Sequence, residues 1–485
     1  MHLSRSALDR LPDGVTGPAY DVAAVRPGIV HLGLGGFHRA HMARYTHDLM
    51  NCDAGALAWG IVGVGLLSAD RRMRDALAPQ DNLYTLVERD GQRERTTVIG
   101  SLASVLWAAE DSSDTLAAID APGVRIVSLT VTEHGYCLDA ATKRLAPDHP
   151  AIAADRANPR APHSAIGIVT EAYRRRRDAG RAPFTALSCD NIQHNGAVLR
   201  QAVLDYAALI DPDLAGWIAT HARFPSTMVD RITPVTSADD IAALTARTGL
   251  IDAWPVVSET FTQWVIEDDF VGGRPDWDRV GVQFVADVAP YEAMKLRLLN
   301  ASHLAVAGLG RLIGYTHIDE AMRDPAMSRY MAALMDRETG PTLARVPGVD
   351  LAAYKATLIA RFSNPTIKDT VDRVNTDAVV NYLLDPIRDR RANGEDTPLL
   401  ALALAAWIRR VRGIDEAGGP IDVRHPLAGP LRERAISGGS DPRLVLGITS
   451  LFGDLVEDEG FVEDVAQWLT SLDTIGAAAT LAAMR

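Results

Sequence analysis

Apolar residues along this chain fall into two regimes that change near residue 290. Upstream, short runs rich in Val, Ile and Leu alternate with amphipathic stretches. Residues 28–35 (GIVHLGLG), 58–65 (AWGIVGVG), 125–131 (RIVSLTV) and 183–189 (PFTALSC) each read as a buried strand, and a helix is expected from Phe37 to about Met50. Strands of this kind, separated by helices, predict a parallel sheet covered by helices. Downstream, Ala, Leu and Arg recur at helical periods, as in residues 399–411 and 461–484, and strand candidates are few. The pattern predicts an α/β fold with a mostly α-helical second half, divided into domains 1–289 and 290–485.

The run 291–303 (YEAMKLRLLNASH) lies at that division, and domain junctions are favoured places for ligand sites. It lacks Pro and Gly and is rich in Ala, Leu and Met, so it is expected to be helical. At about 100° per residue, Glu292, Lys295, Leu299, Asn300 and His303 share one side within an arc of roughly 140°. Met294, Leu298, Ala301 and Ala305 point elsewhere and can pack. A lysine beside Asn and His suits neither an ordinary core nor a plain surface. Partial burial would disfavour its charged form and suit it to act as a general base. The plainer alternative is a solvent-facing helix whose polar groups are satisfied by neighbours, and the segment alone does not exclude it.

Composition narrows the partners. The chain has 485 residues, enough for two domains, with 47% hydrophobic and 23% charged residues, the make-up of an ordinary soluble protein. A net charge of -13 argues against nucleic acid or an anionic membrane as the main partner. The opening residues lack a signal-peptide core and no apolar run approaches the roughly 20 residues of a membrane helix, so a cytoplasmic protein is expected. Cys52, Cys137 and Cys189 are odd in number and widely spaced, which indicates neither a disulfide framework nor a cysteine zinc site.

The first strand ends in Gly33, Gly35 and Gly36. Glycines there let the backbone turn tightly and approach a pyrophosphate at the amino end of the next helix, the geometry of dinucleotide binding. His38 stands where the GxGxxG pattern has its last glycine. An acid after the second strand normally holds the adenine ribose; Asp70 is the candidate, and the adjacent Arg71 and Arg72 would suit a 2′-phosphate, so NAD and NADP both remain open. Four polar clusters accompany this turn. Residues 130–136 (TVTEHGY) and 188–196 (SCDNIQHNG) follow predicted strands, where ligands bind in open α/β sheets. In the second, Asp190, Asn191, His194 and Asn195 either bond a substrate or cap the next helix. Asp230 and Arg231 lie within an apolar stretch and read equally as a buried ion pair. Arg373 closes the run 368–373 (KDTVDR) in the helical half.

Taken in order, residues 29–41 (IVHLGLGGFHRAH), 132–136 (TEHGY), 189–195 (CDNIQHN), 228–232 (MVDRI) and Lys295-x4-Asn300-x2-His303 resemble the long-chain mannitol dehydrogenase family of polyol-specific, zinc-independent dehydrogenases. The resemblance runs from about Ile29 to the end of the chain. It implies a Rossmann-like first domain, a helical second domain, and hydride exchange between NAD(H) and a secondary alcohol of a sugar alcohol, without a metal. In it Lys295 is the general base, and Asn191 and Asn300 are amides that hold the reacting oxygen. His303 completes the catalytic signature and contacts substrate hydroxyls with Arg373; Asp230 lies in or next to the substrate shell. Glu292 relays the proton of Lys295. Gly33, Gly35, Gly36, Phe37, His38, Arg39, Asp70 and Glu133 fall on the cofactor side. A small polyol or ketose is the expected partner and a monomer the expected state.

Two features point elsewhere and are set aside. Tyr291-x3-Lys295 has the spacing of the short-chain dehydrogenase pair, but no TGxxxGxG turn opens the chain. His38-x2-His41, near His31 and His47, suggests a metal site less well than a phosphate-binding turn. Mannitol oxidation to fructose is the reaction placed first, with arabinitol or sorbitol oxidation and reduction of fructuronate to mannonate as alternatives. A uronate needs a cation for its carboxylate, and Arg373 serves that group or a neutral hydroxyl equally in sequence. A non-catalytic dinucleotide or sugar sensor is the reading from another class; it predicts binding without cofactor reduction, and the lysine with both asparagines speaks against it.

Overall fold

A computed structural model describes residues 1–91, 93–139, 142–376 and 380–484. The chain divides into two compact units, Met1–Ala289 and Pro290–Arg485.

The first unit is built on a five-stranded sheet. Its strands are β1 (Pro27–Leu32), β2 (Gly60–Gly65), β3 (Leu102–Trp107), β4 (Ile126–Leu129) and β5 (Thr185–Ser188). All neighbours pair in parallel, in the spatial order β3-β2-β1-β4-β5. This is a doubly wound order with β1 at the centre, and the register sets His31 beside Gly63 on one side and Ser128 on the other. Ile29, Val30 and Leu32 are buried on both faces, as a strand between two helical layers requires. One layer includes Ala165–Asp178 and Asn195–Ile210, and its apolar residues pack with Val30, Leu32, Val127 and Leu129. The other face carries Ile29, Ile61 and Ile126, packed with Met42, Tyr45 and Leu49.

The four expected strands are present; the first starts one residue early and stops at Leu32, the second loses only its first two residues, and the other two are trimmed at both ends. Several others are not among the expected strands. Tyr84–Asp90 and Arg93–Ile99 form an antiparallel pair whose polar alternation (RERTTVI) reads as surface, and Thr227–Asp230 pairs antiparallel with Gln263–Glu267. The helix expected from Phe37 to Met50 is two helices, Gly36–Ala40 and Met42–Cys52. His41 separates them at φ -119° and ψ -92°, with its ring buried against Phe37 and Trp264 and its Nε2 3.0 Å from the Gln263 carbonyl oxygen. A tertiary bond from the ring thus competes with helical continuity, which periodicity cannot register.

The second unit is helical, with only isolated bridges as β-structure among the described residues. Ala301–Ile313 runs through its centre, nearly all of its residues buried, and packs on Pro398–Arg410, which in turn packs on Glu459–Thr474. The period over 461–484 is interrupted at Ile475, where Gly476, at φ 82°, starts a separate helix, Gly476–Ala483. Among the described residues no helix is long and apolar enough to cross a membrane.

Candidate active site

In the first unit, the carboxyl ends of the five parallel strands lie along one edge of the sheet. Gly33 follows β1 at φ 89°, and a Cβ there would lie 2.2 Å from the Thr130 carbonyl oxygen, so only glycine fits. Gly35 and Gly36 are different: a Cβ at either would meet nothing nearer than 3.7 Å. Packing does not demand these two glycines, and the space they leave at the head of Gly36–Ala40 suits close approach of a phosphate chain to backbone N–H groups. The turn therefore fits a dinucleotide.

Two expected cofactor contacts turn the other way. The His38 ring is buried, stacked on His31 with centroids 3.5 Å apart, and both its nitrogens lack a hydrogen-bond partner. Burial, then the neighbouring His31, His41 and Arg39, hold it well below the ordinary histidine range. Arg39 is buried too; its Nη1 donates to the Trp254 carbonyl at 2.6 Å and its guanidinium lies over the Tyr84 ring. The short helix aims both side chains into the unit, so on the turn itself they can offer only backbone amides. Phe37, half-buried, stacks on His41.

The other histidines of this region are dispersed. His31 places Nδ1 2.9 Å from Ser128 Oγ and Nε2 2.8 Å from Thr130 Oγ1, while His47 lies between Tyr20 and Asn51. Burial pushes His31, His41 and His47 down to about 3.

Asp70 sits after β2 and its Oδ2 accepts the backbone N–H groups of Leu66 and Leu67 at 3.0 and 2.9 Å. The carboxylate thus shapes the loop at the position expected for a ribose contact. The exposed Glu133 lies on the loop after β4, with Oε1 3.6 Å from Lys143 Nζ.

The loops after β4 and β5 are joined by one carboxylate. Asp190 Oδ1 accepts the Thr132 N–H at 2.7 Å, and Oδ2 accepts the Tyr136 hydroxyl at 2.8 Å; Tyr136 Oη is also 2.6 Å from Ser188 Oγ. Thr132 is held at φ 61° and ψ 172°, a region that is nearly restricted to glycine, and His194 lies at φ 54°. Such strain persists where surrounding structure over-determines it, and it clusters at functional sites. Burial raises the Asp190 carboxyl, against the opposing pull of these hydrogen bonds. Asn191 follows immediately and is exposed. Asn195 has neither of its expected roles. Its side chain is fully buried, donating to the Asp190 and Thr227 carbonyls at 3.0 and 2.9 Å and accepting the Thr227 N–H, a staple between β5 and the strand Thr227–Asp230.

Asp230 ends that strand, 3% exposed. The ion pair suggested for Asp230 and Arg231 is not the one formed. The buried Arg231 guanidinium pairs with Glu88 and donates to the Glu259 carbonyl, because its side chain leaves the strand on the opposite face.

In the second unit, Glu292 lies in Ala289–Met294, and a π-helical turn, Lys295–Asn300, leads into Ala301–Ile313. The π turn departs from the 100° spacing expected of a helix. Hydrogen bonds from i to i+5 widen the turn, so residues five apart, Lys295 and Asn300, align as residues four apart do in an α-helix. Single π turns of this kind recur at functional sites. Lys295 is 8% exposed and Glu292 6%, Asn300 is half-buried, and Met294, Leu298, Ala301 and Ala305 are fully buried. Tyr291 is buried, and its hydroxyl donates to the Pro347 carbonyl at 2.7 Å.

His303 and Arg373 meet on a residue not singled out from sequence. Asp369 accepts Arg373 Nε on Oδ1 at 2.5 Å and Nη2 on Oδ2 at 2.6 Å, a bidentate pair. His303 Nε2 is 3.2 Å from the same Oδ2, an ion-pair distance, but off the line of a hydrogen bond, and its ring leans on Phe362. Backbone bonds from Ile318 N to Asp369 O and from Val371 N to Thr316 O pin the segment. Burial would raise the Asp369 carboxyl, but the close approach of His303 and the paired hydrogen bonds from Arg373 outweigh it and hold it well below its usual range. An Asp four residues before an Arg at a helix start was the available signal.

Among the described residues no group of His, Cys, Asp and Glu is arranged to hold a metal ion. A parallel sheet with a glycine turn after its central strand, followed by a helical unit carrying a buried lysine, defines a dinucleotide-dependent class of enzyme. The Rossmann-domain model of mannitol dehydrogenase matches residues 27–279, and the model of its C-terminal domain matches residues 287–473. The structure is similar to a Pseudomonas fluorescens mannitol 2-dehydrogenase in ternary complex with NAD and D-mannitol, at TM-score 0.90 and 43% identity over 99% of both chains. A D-sorbitol dehydrogenase in substrate-free form gives TM-score 0.90 at 36% identity, covering 99% of this chain and 100% of that one. An Aspergillus fumigatus mannitol 2-dehydrogenase is 43% identical over 469 residues, 94% of this chain and 93% of its own. This chain belongs to the mannitol dehydrogenase family.

Proposed function

We propose that this NAD-dependent polyol dehydrogenase oxidises D-mannitol to D-fructose, with Lys295 as the general base. The observation that carries the reading is the buried Lys295 on a π turn that sets Asn300 on its side, in a chain matched along its whole length to a mannitol 2-dehydrogenase. Mannitol is placed before sorbitol because identity to the mannitol enzyme, 43%, exceeds the 36% to the sorbitol enzyme.

Residues 1–289 then form the dinucleotide-binding domain and 290–485 the substrate and catalytic domain. The backbone at Gly33, Gly35, Gly36 and Phe37 cradles the pyrophosphate, with Asp70 and Glu133 on the cofactor side. The negative charge of Asp70 favours a ribose hydroxyl over a 2′-phosphate, hence NAD over NADP. When bound, the dinucleotide supplies the acceptor for hydride.

The remaining work falls to side chains. Lys295 Nζ takes the proton of the reacting hydroxyl. The amides of Asn191 and Asn300 donate to the same oxygen and stabilise its developing negative charge without competing for the proton. His303 and Arg373 hold further hydroxyls, and Asp230 orients the polyol. Glu292, one helical turn before Lys295, passes the proton onward to solvent. We take the enzyme to act as a cytoplasmic monomer, which fractionation and a light-scattering mass would check.

The decisive assay measures NAD and NADP reduction with mannitol, arabinitol, sorbitol and mannonate. Fastest turnover with mannitol and NAD is expected. Binding of cofactor with no turnover of any of the four would replace this reading with a sensor.

A further inference from the structure

We infer that His31 and Thr130 are positioning residues for the dinucleotide: a buried chain of hydrogen bonds through their side chains holds the Gly33 carbonyl and fixes the turn after β1 in the form that accepts the cofactor. The inference rests on the reading above in one respect, that this turn cradles the pyrophosphate.

The proton positions follow from the partners. Thr130 Oγ1 lies 2.9 Å from the Gly33 carbonyl oxygen, which can only accept, so the single hydroxyl hydrogen points there. The same Oγ1 is 2.8 Å from His31 Nε2 and must accept at that contact, which puts the ring proton on Nε2. Nδ1 keeps its lone pair, and Ser128 Oγ, 2.9 Å away, donates to it. The chain from Ser128 through His31 and Thr130 to Gly33 therefore runs in one direction, and it needs a neutral ring. Burial pushes His31 down to about 3, against an opposing pull from the Gly33 carbonyl, so the ring is neutral at neutral pH. It is fully buried, and His38 covers one face with centroids 3.5 Å apart.

The chain ends where the turn is least tolerant. Gly33 sits at φ 89°, and its N–H and that of Leu34 both donate to the Val64 carbonyl, at 2.9 and 3.0 Å. With Thr130 on the Gly33 carbonyl, the first peptide of the turn is held from β2 on one side and from the end of β4 on the other. Removing the Thr130 hydroxyl takes that partner away, and the wide choice of backbone angles open to glycine then lets the peptide rotate. A turn that spends part of its time in other forms binds cofactor more weakly in proportion to the fraction lost, while the chemistry of the loaded enzyme is unchanged.

The test uses the full-length enzyme and NADH, with the dissociation constant read from nicotinamide fluorescence and the melting temperature measured beside it. Thr130→Val, which keeps the shape and removes the hydroxyl, should weaken NADH about 10-fold, with kcat at saturating NAD and mannitol within about 2-fold of wild type. Thr130→Ser restores the hydroxyl and should bind NADH within about 2-fold of wild type. His31→Leu removes the donor behind Thr130 and should weaken NADH about 3-fold or more. Thr130→Val that binds NADH as wild type does overturns the inference, whatever its melting temperature. So does Thr130→Ser that binds as weakly as Thr130→Val, since the effect would then lie in packing, and so does a loss confined to kcat. If Thr130→Val does not fold, His31→Leu decides by the same measure. Gly35→Val separates the two readings, because a Cβ there meets nothing nearer than 3.8 Å and the added bulk enters the space proposed for the pyrophosphate. It should abolish NADH binding; if it binds like wild type, the cradle reading fails and takes the inference with it, whereas a dead Gly35→Val beside an unaffected Thr130→Val sinks the inference alone.

Discussion

Replacing Asp190 tests whether the strained loop after β4 is held by a single carboxylate. Asp190→Ala removes the acceptor of the Thr132 N–H and of the Tyr136 hydroxyl, which sit 2.7 and 2.8 Å from it. Bonds to a charged acceptor contribute about 1.5–3 kcal/mol each, and the Tyr136 hydroxyl can turn its hydrogen to Ser188. Against this, the variant is relieved of a buried carboxylate, and Thr132 is released from a conformation costing about 1–3 kcal/mol. The net loss should be about 2–4 kcal/mol, or roughly 4–12 °C in the melting of the first unit. Asp190→Asn keeps an acceptor for Thr132 and should recover most of it. Its stability relative to wild type should also depend on pH with a definite sign. Burial raises the native Asp190 carboxyl above the ordinary value of 3.8, so ionisation costs wild type stability as pH rises from about 4, and the amide escapes that cost. Asp190→Asn should therefore gain on wild type between acid and neutral pH. Calorimetric scans of the three proteins at several pH values check this. An Asp190→Ala loss below about 1 kcal/mol, or an Asn variant that loses ground as pH rises, refutes the reasoning.

Gly33→Ala places a Cβ 2.2 Å from the Thr130 carbonyl oxygen at φ 89°, and should cost about 2–4 kcal/mol and weaken NAD binding, measured by melting and by titration of nicotinamide fluorescence; a variant that melts and binds like wild type contradicts the backbone account of the turn. Tyr291→Phe loses the hydroxyl bond to Pro347 and should destabilise by about 1 kcal/mol with kcat nearly unchanged; a collapse of kcat would instead make that tyrosine part of the chemistry. The Asp369 carboxyl is held well below the usual 3.8, so the Asp369–Arg373 pair contributes stability above that value and loses it only as pH falls further. KM for polyol should accordingly stay flat from about pH 5 to 8, and a rise within that range would show that another group fixes Arg373.

Much of the fold follows from chemistry that one sequence displays. Strands such as IVHLG and IVSL are apolar on both faces and leave no reading but a covered parallel sheet, and Gly33 announces its turn because no other residue tolerates it. What escaped notice depends on partners distant in the chain. The break at His41 follows from a carbonyl more than two hundred residues away, and the true partner of Arg231 is Glu88, on a strand more than a hundred residues earlier. The π turn at Lys295 leaves no mark in the apolar period, since Met294, Leu298 and Ala301 pack as they would in an α-helix. Asp369 was legible in principle as an i, i+4 partner of Arg373, yet its link to His303 is a tertiary one.

The central claim is that Lys295 takes the substrate proton, and the kinetics of Lys295→Ala test it most directly. With NAD and mannitol at saturation, the variant should lose about 10²–10⁴ in kcat, the span of a general-base contribution. Its NAD affinity and melting temperature should remain close to wild type, so that the loss reads chemistry and not folding. An enzyme that keeps wild-type kcat without Lys295 would place the base elsewhere and contradict the account.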